Sequence, residues 1–203
     1  MADLFNKSFS EEIHLDMGGA SVILYPNFIN QKTSDIYFQQ LISETPWRQD
    51  DIKVFGKTYA QPRLTALYAD NDKPYSYSNL TMHPLKFTPT LKTIKESVEE
   101  LAKTKFTTCL LNLYRDGNDS NGWHADDERE LGKNPIIASV SLGADRIFKF
   151  RKKKDKKETL KILLTNGSLL LMKDEAQHNW QHQLPKTKKL IGPRINLTFR
   201  IIN

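Results

Sequence analysis

The stretch "FTTCLLNLY", Phe106 to Tyr114, marks a change of period in the chain. Just before it, "TPTLKTIKESVEELAKTK" spaces Leu91, Ile94, Val98 and Leu101 by three, four and three residues, with charges between. That stripe predicts an amphipathic helix. From Phe106 onward the chain reads as short runs rich in β-branched and aromatic residues: "FTTCLLNLY", "IIASVSLG", "RIFKFRK", "TLKILLT", "GSLLLM" and "INLTFRII". Gly, Asn, Asp and Pro punctuate them, so each predicts a strand. Upstream, "NQKTSDIYFQQLISETPW" predicts a second helix, with Thr33 or Ser34 as cap, Ile36, Tyr37, Leu41 and Ile42 as its apolar positions, and a stop near Pro46. Helices followed by many short strands predict a double-sheet sandwich or jelly roll braced by helices on one side, not alternating βαβ units.

Composition narrows the class. A chain of 203 residues with 38% hydrophobic content supports one domain, with residues 1–20 expected as a loosely attached segment. The formal net charge of +6 favours a polyanionic partner only where the basic residues cluster. A lone cysteine, Cys109, rules out an internal disulfide and fits a reducing compartment. No segment approaches the roughly 20 apolar residues that span a bilayer. The expectation is a soluble, intracellular monomer without a membrane partner, cytoplasmic in a bacterium or nuclear in a eukaryote.

The chemistry concentrates in "WHADDERE", Trp123 to Glu130. His124 and Asp126 lie two apart, on one face of an extended segment, where both can share a cation. Alone, a His-x-Asp pair more often marks a solvated acidic turn. Two histidines and one carboxylate hold Fe(II) facially and leave positions open for a co-substrate and oxygen. The third ligand must come from "QHNWQHQLP"; His178 and His182 are four apart there, so spacing does not choose between them, and zinc would also suit the set. In "GPRINLTFR", Arg194 and Arg200 are six apart, hence on one side of a strand. Guanidinium groups facing an apolar interior require anions. A dicarboxylate meets that need, with Asn112 and Tyr114 of "NLYRDG" as further polar partners. Zinc hydrolysis has no use for such a cradle, whereas an Fe(II) oxygenase that consumes 2-oxoglutarate does.

Taken in order, "NLYRDG", "HADDERE", "IASVSLGADRIFKFR", "GSLLLM", "WQHQLP" and "PRINLTFR" resemble the AlkB family of Fe(II)- and 2-oxoglutarate-dependent demethylases, over about residues 50–202. "VFGK", "HADDERE" and "PRINLTFR" are most similar to the members that repair DNA. The resemblance implies an α+β fold: a double-stranded β-helix (jelly-roll) core at about 105–203, N-terminal helices bracing it, and a β-hairpin nucleotide-recognition lid at about 50–90, all within one domain, 21–203. It implies Fe(II) held by the catalytic set His124, Asp126 and His182, with His178 behind the ligands or facing substrate. It implies 2-oxoglutarate with its far carboxylate on Arg200, supported by Tyr114, Thr198 and Asn112, and its metal-proximal carboxylate on Arg194. With O2, such an enzyme demethylates 1-methyladenine and 3-methylcytosine in alkylated DNA, releasing formaldehyde and succinate. The alternatives are the same reaction on RNA or a protein side chain, and a non-catalytic nucleic-acid-binding sandwich.

Reaching a base inside a duplex requires extruding it. "DIKVFGKTYAQPRL" predicts a hairpin whose tip, Val54, Phe55, Gly56 and Lys57, wedges into the stack. "KPYSYSNL" sets Tyr75 and Tyr77 on one face, flanking Ser76, to hold the extruded base. By resemblance the acid after the ligand aspartate, Asp127, reads the exocyclic amine with help from Glu128. Arg63 is expected to contact phosphate or to guide the substrate, and the run "RKKKDKK", Arg151 to Lys157, read as an exposed loop, to contact phosphate.

Overall fold

The computed structural model describes residues 11–54, 56–72, 75–77 and 80–202. In chain order these form β1 (Ile13–Asp16), β2 (Ala20–Tyr25), α1 (Gln31–Glu44), β3 (Asp51–Val54), β4 (Lys57–Ala60), β5 (Leu64–Ala69), β6 (Tyr75–Tyr77), β7 (Leu80–Met82), β8 (Leu85–Lys86) and α2 (Pro89–Ala102). Then follow β9 (Thr108–Tyr114), β10 (Asn121–His124), β11 (Ile137–Gly143), β12 (Arg146–Lys152), β13 (Thr159–Leu164), β14 (Leu169–Asp174), the single-turn α3 (Ala176–Asn179), β15 (Trp180–Leu184) and β16 (Arg194–Arg200). Among the described residues no helix is long and apolar enough to cross a membrane.

Two sheets carry the fold. The larger runs β1-β2-β14-β11-β16-β9-β5-β8, and the smaller β10-β15-β12-β13. Alternation along the central strands of the larger sheet makes its two faces different. In β16, Ile195, Leu197 and Phe199 join Cys109 and Leu111 of β9 and Ala138, Val140 and Leu142 of β11 in a core shared with both helices. The other face turns toward the smaller sheet, where Leu170, Met172, Phe150, Leu164 and Trp180 make a second core. On that same face Arg194, Asn196, Thr198 and Arg200 are buried, as are Asn112, Ser139 and Ser141. Polar side chains on the face between the two sheets mark the site, because burial without partners would be costly.

The helix α2 forms where the apolar spacing predicts it: Leu91, Ile94 and Val98 are fully buried against the larger sheet. Thr88 caps it, accepting the Leu91 N–H at 3.3 Å, with Pro89 following, where a missing N–H costs nothing. The sequence places the α1 cap at Thr33 or Ser34, but Asn30 caps it, accepting the Thr33 N–H at 2.9 Å. Thr33 and Ser34 sit inside the helix on its buried face, and Ile36 is exposed. Small polar side chains fit there because Ser34 donates to the Ile29 carbonyl, so the buried stripe is narrower and more polar than an aliphatic reading allows. Within the first 20 residues, β1 pairs with β2 and Met17 is buried in the second core.

The hairpin of β3 and β4 pairs Asp51 with Ala60 and closes at Val54 and Lys57, with Gly56 at a φ of 79°. Phe55 and the side chains of Val54, Tyr75, Ser76 and Tyr77 lie outside the described residues. Lys57 is exposed, and the backbone of Tyr75–Tyr77 pairs with β7.

Candidate active site

Between the two sheets lies a cavity of about 510 Å³, counting the space at its mouth. Its walls carry His124, Asp126, His182, Asn112, Tyr114, Arg194, Thr198 and Arg200. Strand pairing explains the convergence. β10 and β15 are antiparallel and place His124 directly opposite His182, so both imidazoles leave the same face, with ring centroids 4.2 Å apart. Asp126 follows in the loop after β10, and its carboxylate comes within 4.8 Å of the two imidazole nitrogens.

The electrostatics suit a cation. The His124 Nδ1 lies 2.8 Å from the Gly122 carbonyl, which can only accept, so Nδ1 holds the proton and Nε2 offers a lone pair. Burial holds the His124 imidazole below its ordinary pKa despite the nearby Asp126 carboxylate. Burial, reinforced by His124, pushes His182 down to about 3, and its ring stacks on Phe148 at 5.4 Å. Burial alone would raise the Asp126 carboxyl, but the charge of Arg200 and its hydrogen bond hold it below its ordinary value. Two neutral imidazoles and an ionised carboxylate, all desolvated, form the donor set of the two-His-one-carboxylate iron enzymes.

Behind this set the polar residues divide in two. Arg200 Nη2 reaches Asp126 Oδ1 at 2.8 Å, placing this guanidinium beside the ligand group. Arg194 lies further along β16; its Nη2 donates to Ser141 Oγ at 2.8 Å, and it stacks on Tyr114 at 5.5 Å. Arg200, rather than Arg194, is thus the guanidinium paired with the Asp126 carboxylate, whereas the sequence reading set Arg194 nearer the metal. Alternation on a strand gives the face but not which end meets the ligands. Arg194 Nε is buried without a hydrogen-bond partner, and burial lowers this guanidinium to about 10. An orphaned donor on a buried cation fits a bound carboxylate.

The remaining expected residues distribute as follows. Arg63, expected at a phosphate, is buried in the pocket wall, its Nε donating to Asn112 Oδ1 at 2.8 Å. Asp127 is exposed, does not line the cavity, and pairs with Lys153 Nζ at 2.6 Å. Glu128 is half-buried: its Oε2 is buried without a hydrogen-bond partner, and burial together with Asp126 raises its carboxyl above the ordinary range. His178 is exposed on α3, its Nε2 accepting the Asn134 N–H at 3.1 Å, apart from the ligand group. In the basic run, Arg151 and Lys152 belong to β12 rather than to a loop. Arg151 lies over the Trp123 ring at 4.4 Å, Lys152 pairs with Glu158, and Lys154, Lys156 and Lys157 are exposed.

Several pocket residues escape the sequence reading. Asn196 bridges Thr198, Ser139 and the Val140 carbonyl. It shares the alternation of Arg194 and Thr198, so the period that located those two also indicates Asn196. Ser139 and Ser141 follow from the same rule on β11. Gln177, which accepts the Asp126 N–H at 2.9 Å, has no signal in the local sequence.

Comparison with known proteins places the chain in a family. Residues 21–200 match the 2OG-Fe(II) oxygenase superfamily. The chain is 44% identical over 201 residues to the human alpha-ketoglutarate-dependent dioxygenase alkB homolog 3, spanning 94% of this chain and 70% of that protein. It is 38% identical over 188 residues to the human DNA oxidative demethylase ALKBH2, spanning 88% of this chain and 72% of that one. The solved structure of OsALKBH1 superposes with a TM-score of 0.67 at 16% identity, over 94% of this chain and 100% of that chain, a likeness of fold.

Proposed function

Because this chain belongs to the AlkB-type 2OG-Fe(II) oxygenases, we propose that it demethylates N-alkylated bases in DNA, 1-methyladenine and 3-methylcytosine among them. The observation that carries this reading is the meeting of His124, Asp126 and His182 beside two buried guanidinium groups. Fe(II) and 2-oxoglutarate, once bound with O2, supply the oxidant that converts an N-methyl group to N-hydroxymethyl as 2-oxoglutarate becomes succinate and CO2. The N–CH2OH bond to nitrogen then breaks, releasing formaldehyde and the repaired base.

The protein's own residues prepare that reaction. His124, Asp126 and His182 hold the metal, with no proton to displace from either imidazole. Arg200, paired with the ligand carboxylate, would also balance the co-substrate's metal-side carboxylate. Arg194, with Ser141, Tyr114 and Asn112 near it, would receive the distal carboxylate through its orphaned Nε. Thr198 and Asn196 line the floor between the two guanidinium groups. The apolar side chains Leu110, Phe148 and Met172 in the same walls limit water near the reacting group.

Recognition of the base falls to Glu128 more than Asp127, since Asp127 is neutralised by Lys153. A cationic base beside Glu128 would stabilise its ionised form and offset the cost of burying that carboxylate. Such a pocket favours positively charged lesions. The segment about 50–90 is read as a lid bearing the wedge at Phe55, over a jelly roll at about 105–203, within one domain at 21–203. The exposed Lys154, Lys156 and Lys157 are read as phosphate contacts.

The test is turnover with an oligonucleotide bearing 3-methylcytosine, following formaldehyde and succinate together. Wild type produces the two in equal amounts, and His124→Ala produces neither. Retained oligonucleotide binding with no succinate from wild type would replace the proposal with a non-catalytic binder.

A further inference from the structure

We propose that Gln177 is a positioning residue for the carboxylate ligand, tying the two ligand-bearing segments of the site together. This rests on reading His124, Asp126 and His182 as the metal centre. Asp126 lies beyond the end of β10, so its backbone N–H has no ladder partner, although the residue is almost fully buried at 1% exposure. A buried N–H in that position must find an acceptor or cost free energy. Gln177 Oε1 supplies it at 2.9 Å from α3, the turn that leads directly into β15 and His182.

The rest of Gln177 argues against a role in packing alone. Its side chain is 1% exposed, where a leucine would fill space without burying an amide. Its Nε2 meets Met172 Sδ at 3.5 Å, a weak acceptor, so the strong bond is the one made by Oε1. Its backbone carbonyl accepts from Lys153 Nζ at 2.9 Å, and the same ammonium pairs with Asp127 at 2.6 Å. The ligand loop is thus held at two successive residues: at the Asp126 amide by the Gln177 side chain, and at the Asp127 carboxylate by a lysine anchored on Gln177.

The chemical consequence is directional. Fixing the Asp126 amide fixes the direction of its Cα–Cβ bond, which sets Oδ1 on Arg200 and leaves the remaining carboxylate lone pairs for the metal. Groups that orient a ligand in this way typically change metal affinity by about 10- to 100-fold when removed. Lys153 therefore serves the loop rather than a phosphate, in contrast to its neighbours in the basic run.

The test measures metal binding without turnover. Mn(II) is titrated into the metal-free protein in the presence of 2-oxoglutarate, and hydrogen exchange of the Asp126 amide is followed in parallel. Gln177→Met is expected to weaken Mn(II) binding about 10-fold or more and to expose the amide to exchange. Gln177→Glu, which keeps an acceptor at that position, is expected to restore most of the affinity and the protection. Mn(II) binding by Gln177→Met as tight as wild type, or an Asp126 amide as protected as in wild type, would overturn the proposal. Should Gln177→Met fail to fold, Lys153→Met serves instead: weakened Mn(II) binding supports the tie, and unchanged binding overturns it. Failure of the wild type itself to bind Mn(II) would refute the metal centre rather than the role of Gln177.

Discussion

Replacing Arg200 with methionine separates a structural ion pair from a ligand-site one. In the metal-free protein Arg200 and Asp126 form a pair whose side chains are 5% and 2% exposed, at 2.8 Å. Removing one member of a buried pair leaves an uncompensated charge and typically costs about 3–5 kcal/mol. For a domain of this size, each kcal/mol moves the melting temperature by about 2–4 °C, so Arg200→Met should melt about 6–20 °C lower. Two comparisons give the number meaning. Lys152→Met breaks a half-exposed pair with Glu158 and should cost less than about 1 kcal/mol. The double variant Asp126→Asn/Arg200→Met removes both charges and should be more stable than Arg200→Met alone. Mn(II) should recover part of the loss in Arg200→Met, because the bound cation takes over as counter-charge to Asp126. The assay is thermal unfolding with and without Mn(II). A melting temperature for Arg200→Met within about 2 °C of wild type, below the shift for a single kcal/mol, would refute the idea of a desolvated pair.

Further outcomes follow from the site and the fold. In metal-free protein the half-buried His124 and the buried His182 resist protonation, His182 down to about 3, whereas in the unfolded chain they titrate near 6.5. The unfolded state therefore binds more protons as pH falls below 6.5, and stability drops by about 1 kcal/mol per pH unit for His182, with His124 adding to the loss in the same direction. Glu128, held above its unfolded value, opposes this just above pH 4.5. Denaturant titrations at pH 7 and 5.5 in chelator read the slope, and equal stabilities would contradict it. Glu128→Gln should raise KM for 3-methylcytosine substrates several-fold while Asp127→Asn changes it little; the opposite ranking returns base recognition to Asp127. Gly143→Ala should be destabilising, since Gly143 has a φ of 86° and a new Cβ would fall 2.6 Å from the Phe38 ring and 2.6 Å from the Pro193 carbonyl. The backbone cost alone is about 1–3 kcal/mol, and Gly56→Ala, at a φ of 79° in open space, should show little beyond that. Equal melting temperatures for the two variants would contradict the close approach.

The periodic parts of this protein are readable in its sequence because a period reports which side chains share a face. Leu91, Ile94 and Val98 announce α2, and the alternation of "RINLTFR" puts Arg194, Thr198 and Arg200 together on one side of β16. The same logic reaches Asn196, which needs only the next step of the alternation. Features set by tertiary register are not readable in this way. That His124 faces His182 depends on how β10 pairs with β15, and spacing within "QHNWQHQLP" leaves His178 open. The loop after β10 has no period, so the pairing of Asp127 with Lys153 and the burial of the Glu128 Oε2 carry no sequence signal. The order of Arg200 and Arg194 depends on which end of β16 lies beside that loop. Asn30 took the cap of α1 because its side chain reaches the Thr33 amide, whereas Thr33 and Ser34 were needed on the buried face.

A crystal structure of the protein soaked anaerobically with Mn(II) and 2-oxoglutarate tests the central claim most directly. The metal is expected on His124, Asp126 and His182, with the distal carboxylate of 2-oxoglutarate on Arg194 and its metal-side carboxylate near Arg200. Metal bound elsewhere, or His178 replacing His182 among its ligands, would contradict it.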